Sequence, residues 1–527
     1  MTGVDTSADA VPEEACHIGT HAAKTPDRTA IHFAPTGERL SFADVEALSN
    51  RAANLLRACG LRRGERCAVF MENRIELLPL FWGAQRSGLR VTAIATHLTT
   101  AEVAYILADS GAKALFTSAR NADVVTEVEV PDLPAANRFM LGTPVGGFRD
   151  LSAALAEQPT TPIADQAEGV EMLYSSGTTG RPKGVLRPMP DVAFGTSSAG
   201  YNHWAKLYGV DEGTVYFHPA PLYHAAPLVC SLRVLRFGGS IVMVDRFDAS
   251  RALKIIEEHR PTHSQWVPTH FVRLLRLPEA ERAAADVSSL RIAIHAAAPC
   301  PIEVKRRMIA WWGPIIHEYY AGSEGNGYVC LDSHEWLKKP GSVGRAQVGR
   351  LRICDDEGDE VPVGTEGTVY FEGGPTFEYH NDPQKTAGSR NRHGWSTLGD
   401  VGHLDADGYL FLTDRKTFMI VSGGVNIYPA EIEGTLITHP KVEDVAVFGV
   451  PNEDFGEEVK AVVQPRPDHL GEAGLADELI GWCRGRLSRV KCPRSVDIVD
   501  ALPRAENGKL YKKVLRDAYW PQGARRI

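Results

Sequence analysis

Apolar positions along this chain alternate between two rhythms: short unbroken runs, and longer stretches that repeat every three or four residues. The first marks a strand covered on both faces, the second an amphipathic helix. Runs at 30–33 and 40–42 flank Pro35, Thr36 and Gly37, which predicts a hairpin. Ser41 then opens a helical stripe through Val45, Leu48, Ala52, Leu55 and Leu56 that ends near Gly60. Residues 67–71 read as a buried strand, 74–87 and 100–110 as helices, and 114–117 as a strand. Strand and helix in this order predict an α/β domain with largely parallel sheets.

The alternation resumes beyond residue 185. A helix is expected through Trp204 and Leu207, strands at 214–217, 240–244 and 290–294, helices at 249–259 and 304–312, and a strand running into Glu318. From about 341 to 412 the pattern shortens to strands between Gly, Asp and Pro turns, the mark of a small β-rich subdomain. A boundary follows near Asp414 and Arg415. Beyond it a helix at 430–437, strands at 442–450 and 458–463, a helix at 477–489 and a strand at 495–499 make an α+β module with its own apolar faces. The expected fold class is α/β. A large N-terminal domain (1–414) of two helix-flanked sheets plus the β-rich subdomain precedes a smaller α+β C-terminal domain (415–527).

Composition narrows the partners. At 527 residues the chain is too long for one core. With a net charge of -9, nucleic acid or an anionic membrane is not an expected general partner, so a polyanionic ligand must be met by a local basic pocket. No apolar run approaches the ~18 residues of a transmembrane segment. The acidic N-terminus lacks the apolar stretch of a signal peptide. Nine scattered cysteines without a CxxC pair read as reduced thiols of a cytoplasmic protein.

One stretch, from Tyr174 to Val185, concentrates chemistry. Its glycines let backbone N–H groups approach an anion, its four small hydroxyl residues donate, and Lys183 supplies a mobile charge. This is a phosphate cradle but not a Walker P-loop, because no Gly-Lys-Ser/Thr follows at the required offset. Further on, Tyr320, Ser323 and Glu324 set an aromatic face, a hydroxyl and a carboxylate close together. They are suited to stack on a base, touch phosphate and hold Mg2+. Asp400 after Gly399 suits ribose hydroxyls, Gly423 and Gly424 form a second glycine turn, and Lys509 lies beyond a tight turn near the C-terminus. Singly, these are compatible with ordinary turns and a buried Tyr.

In this order the stretches resemble the adenylate-forming superfamily: acyl-CoA synthetases, non-ribosomal peptide adenylation domains and beetle luciferases. The resemblance runs from about residue 25 to about residue 518. It implies ATP, Mg2+ and coenzyme A. The loop with Ser175, Ser176, Gly177, Thr178, Thr179, Gly180 and Lys183 would close over the ATP phosphates, with Thr179 and Glu324 at the metal. Ala297, Ala298 and Pro299 would line adenine and the acyl pocket. Tyr320 would stack on adenine, with Tyr319, Ala321, Gly322 and Ser323 around the nucleotide. Asp400 would hold the ribose, Arg415 would contact the nucleotide, and His224 would gate the acyl site. Lys509 would bridge the substrate carboxylate and the α-phosphate. The C-terminal domain would then swing about a hinge near Thr417 and bring Gly423 and Gly424 beside a pantetheine tunnel.

The implied activity is that of an ATP-dependent acid–CoA ligase. A carboxylic acid becomes an acyl-AMP with release of pyrophosphate, then an acyl-CoA thioester with release of AMP. The partners are small molecules (the acid, ATP and CoA), with no nucleic acid and no transmembrane segment, and a homodimer is left open. The wording of 414–420 is similar to ligases for fatty, aryl or polycyclic acids. Thr417 and Phe418 depart from the family's Lys or Asp pivot and the acidic residue after it, which keeps open an enzyme that hands its adenylate to a partner. Ala296 and Ala321 replace commoner glycines, and Leu398 a commoner Thr. An amino-acid adenylating enzyme would carry an Asp in the acyl pocket, where this chain has His224. A non-catalytic nucleotide-binding protein would have little need of Lys183, Glu324, Asp400, Arg415 and Lys509.

Overall fold

The computed structural model describes residues 15–175, 182–415, 418–423, 425–504 and 510–520, with the backbone alone at Ser175 and Arg415. The chain divides into two compact units. The first extends to 247 and takes in 258–264; the second takes in 248–257 and continues from 265. The boundary near 414 lies inside the second unit.

In the first unit, a six-stranded parallel sheet has the order Arg149–Asp150, Arg138–Leu141, Leu115–Ser118, Arg66–Phe70, Arg90–Ile94, Val170–Glu171. Its central strands are buried almost end to end, which is why they read as unbroken apolar runs. Helix Phe42–Ala58 starts on a capping box in which Ser41 and Asp44 exchange hydrogen bonds. Helix Leu77–Arg86 is buried along its whole length, and Gly83 permits its close approach to the first helix. A Cβ there would stand 2.5 Å from the Ala52 methyl. The hairpin of Thr29–Phe33 and Glu38–Ser41 extends by parallel pairing to Ser240–Met243 and Val215–His218, and Phe217 pairs with Ser264.

Two elements escape the hydrophobic pattern. The strand His263–Trp266 is polar in three of its four residues yet buried throughout. Its polarity is met internally: His263 Nε2 lies 2.7 Å from the Tyr208 carbonyl oxygen. The helix Ala225–Arg236 begins with two small residues and a Pro, which hide its stripe.

In the second unit, Ile292–His295 and Ile316–Tyr320 run parallel, and Tyr328–Leu331 and Arg345–Val348 continue the sheet antiparallel. An antiparallel sheet follows in the order Arg350–Cys354, Gly367–Glu372, Ser396–Leu404, Leu410–Arg415, the β-rich segment expected from the turn-dense sequence. The last part of the chain folds around its own core of Ile420, Ile432, Val445, Val447, Ala461 and Leu479. The predicted helix at 477–489 is Leu475–Arg484, stopped at Gly485. No helix among the described residues is long and apolar enough to cross a membrane.

Candidate active site

Strand ends position the nucleotide-side candidates. Tyr320 closes Ile316–Tyr320, and its hydroxyl donates to Asp400 Oδ2 at 2.7 Å. One face of its ring lies against Phe371, with centroids 6.1 Å apart and planes 23° from parallel. Asp400 is buried, follows Gly399 at φ +82° and pairs in register with Arg415. The glycine is required there, because side chains rarely accept that φ. Tyr319 stacks on Tyr328 at 5.1 Å and accepts from Gln265 Nε2 at 3.1 Å. Ala321, Gly322 and Ser323 are half-buried and lead to Glu324, which is buried with its Oε1 accepting from the Tyr379 hydroxyl at 2.8 Å. The structure therefore brings Tyr320, Asp400 and Glu324 into one unit and ties the first two directly.

The loop after Ile292–His295 is strained. Ala297 has φ +77°, a region that costs a non-glycine residue roughly 1–3 kcal/mol. Ala297, Ala298 and Pro299 are exposed, and Ala296 is buried beneath them. His295 itself is fully buried and stands in register with Glu318 on the neighbouring strand. Glu318 Oε2 lies 2.6 Å from Lys305 Nζ and 3.5 Å from His295 Nε2. Burial pushes the Glu318 carboxyl up against the pull of Lys305. Burial first, then the Lys305 charge, holds His295 well below the usual imidazole range, so it is neutral at pH 7. His295 is thus a packed core residue at the base of the loop.

Near the C-terminus, Gly423 at φ +56° lines a cavity of about 170 Å³ together with Phe455, Arg489 and Arg494. The Arg494 guanidinium sits 4.2 Å above the Phe455 ring. The described residues on either side of 505–509 are pinned together. Arg504 and Leu510 form a bridge, Tyr511 N donates to Pro503 O at 2.8 Å, and Arg504 Nη2 donates to Asp444 Oδ1 at 2.6 Å. Ser176, Gly177, Thr178, Thr179, Gly180, Thr417, Gly424 and Lys509 themselves lie outside the described residues.

The first unit holds the remaining candidates. Lys183–Leu186 pairs antiparallel with Leu173–Ser175, Lys183 opposite Ser175, so the described ends of the phosphate-cradle stretch lie side by side. His224 is the N-cap residue of Ala225–Arg236, half-buried, with Tyr223 edge-on at 4.5 Å. The turn before it hangs on Asn73, a residue without a sequence signal. Asn73 Nδ2 donates to Ala220 O at 3.1 Å and Val244 O at 2.8 Å, and Oδ1 accepts from Leu222 N at 2.8 Å. Asn73→Ala strands these buried groups and is expected to lower stability by about 1–3 kcal/mol, read as a lower urea midpoint at unchanged m. An unmoved midpoint would show that the turn holds without it.

A family model described as AMP-binding enzyme matches residues 18–378, and one described as AMP-binding enzyme C-terminal domain matches 431–509. The long-chain-fatty-acid–CoA ligase FadD13 of Mycobacterium tuberculosis is 33% identical, over 92% of this chain and 94% of the relative. A feruloyl-CoA synthase of Amycolatopsis sp is also 33% identical, over 94% of this chain and 96% of its own length. The crystal structure of ATP-bound MatB from Rhodopseudomonas palustris superposes with a TM-score of 0.81 at 29% identity, covering 95% of this chain and 99% of that one. This chain belongs to the AMP-binding enzyme family, the adenylate-forming superfamily, in its acid–CoA ligase branch.

Proposed function

We propose that the chain carries out both half-reactions of an AMP-forming acid–CoA ligase, making an acyl-AMP from a carboxylic acid and ATP and then the acyl-CoA thioester. The observation that carries this reading is the grouping of Tyr320, Asp400 and Glu324 in one unit, an aromatic face, a ribose acceptor and a metal-type carboxylate. A carboxylate is a poor nucleophile toward an anionic triphosphate, so positive charge must screen the approach. Lys183 and the hydroxyls at 175–179 would cradle the outer phosphates, Arg415 would contact the nucleotide, and Lys509 would meet the carboxylate and α-phosphate. Glu324 fits Mg2+: it is a buried hard oxygen donor, with Thr179 as its proposed companion. Bound there, Mg2+ supplies neutralisation of the phosphate charge.

For the second step, residues 415–527 act as a mobile lid turning near Thr417. The cavity beside Gly423, with two guanidinium groups and an aromatic ring, suits the anionic, adenine-bearing end of CoA. The thiol would attack the acyl carbonyl and expel AMP. The acid is proposed to be apolar, fatty or aryl, as the relatives' names suggest, and the enzyme cytoplasmic. A homodimer is the assembly to test by light scattering. A panel of such acids, followed for both AMP and CoA thioester, tests the reading: both products are expected together. AMP without thioester from every acid would move the assignment to an adenylate-only enzyme, and neither product would overturn it.

Asp400→Ala removes the ribose acceptor and the partner of the Tyr320 hydroxyl. It is expected to weaken ATP binding by ~1–3 kcal/mol in a titration without acid. Unchanged affinity would remove Asp400 from the nucleotide site.

A further inference from the structure

We infer that Tyr379 is a positioning residue that presets the Glu324 carboxylate for its metal. This rests on the reading of Glu324 as a metal ligand. The Tyr379 hydroxyl donates to Oε1 at 2.8 Å, and both residues are buried, at 7% and 8% exposure. The other oxygen lies beside Gly322. A Cβ on Gly322 would stand 2.5 Å from Glu324 Oε2 and 2.7 Å from a Leu398 methyl, so only a glycine leaves room for the carboxylate where it is. One oxygen is held by a hydroxyl, and the other occupies the room that the glycine leaves.

The ring that holds it is itself fixed. Tyr379 N donates to Thr386 Oγ1 at 2.9 Å, and that hydroxyl donates to Asp382 O, also at 2.9 Å. Asp382 N donates back to Tyr379 O at 3.2 Å, and Asp382 caps the helix Pro383–Gly388. Lys385 Nζ stands 4.6 Å above the ring and Phe377 meets it edge-on at 5.4 Å. A carboxylate set by such a mount surrenders little rotational freedom when the metal arrives. Hydrogen bonds from outside the ligand shell act on metal affinity in this way, and their loss typically costs roughly 10–100-fold.

The test is metal binding without turnover. Mn2+ is titrated into the full-length protein saturated with α,β-methylene-ATP, and free Mn2+ is counted by EPR. Glu324→Gln is expected to abolish the tight Mn2+ site. If it does not, the metal-ligand reading of Glu324 fails. With that established, Tyr379→Phe is expected to weaken Mn2+ binding about 10-fold while nucleotide affinity measured in EDTA stays within two-fold. Gly322→Ala, which places a methyl 2.5 Å from Oε2, is expected to weaken Mn2+ in the same sense and serves if the Phe variant folds poorly. Unchanged Mn2+ affinity in Tyr379→Phe, or an equal loss of metal and metal-free nucleotide binding, overturns the positioning role and leaves the Glu324 reading standing.

Discussion

Lys509→Ala is expected to slow acid-dependent ATP–pyrophosphate exchange by at least ~10²–10³-fold, the scale of one preorganised electrostatic contact at the reacting centre. The carboxylate must approach an α-phosphate of like sign, and a cation touching both groups does most where charge accumulates in the transition state. The described residues on either side are held by Arg504 to Asp444, the Arg504–Leu510 bridge and the Tyr511–Pro503 hydrogen bond. Alanine therefore removes the charge and leaves the mount. Thioester formation from supplied acyl-AMP, which makes no use of that contact, should be largely retained. Exchange near the wild-type rate would sink the assignment of Lys509 to adenylation.

Lys305→Met is expected to destabilise the protein by about 3–5 kcal/mol, because Glu318 is left buried without a counter-charge. Neither residue can turn to water: Lys305 is fully buried and Glu318 nearly so. Its other close neighbour, His295, is neutral at pH 7 and offers no charge. The measurement is the urea midpoint with activity followed in parallel, since the strands involved end in the 296–299 and 321–324 loops. Removing both charges together, as Lys305→Met with Glu318→Leu, should recover most of the loss. A single variant as stable as the wild type would mean that Glu318 sheds its charge by taking up a proton, or that water reaches it.

What the sequence made legible was local. The hairpin before Ser41, the helix with its cap at Ser41 and the strand Arg66–Phe70 follow from spacing and turn chemistry within a few residues. His263–Trp266 was hidden because its polar side chains are satisfied by distant groups, which an apolar pattern cannot register. The site divides in the same way. Glu324 and Asp400 stand in short recognisable stretches, whereas Tyr379 meets Glu324 across 55 positions and Asn73 meets Val244 across 171. Those partners are set by strand order, and only the folded chain supplies it. His295 shows the converse: a residue at the edge of a promising loop whose side chain is spent on packing.

Gly322 and Leu398 share one space, with the Leu methyls 2.7 and 2.9 Å from where a Cβ on the glycine would be. In evolutionary terms this makes two distant positions a single locus. A side chain gained at 322 meets both Leu398 and Glu324, and a smaller residue at 398 relieves only the first of these contacts. Substitutions at the two sites are then non-additive. As long as Leu398 and Glu324 both stay, position 322 has room for glycine alone.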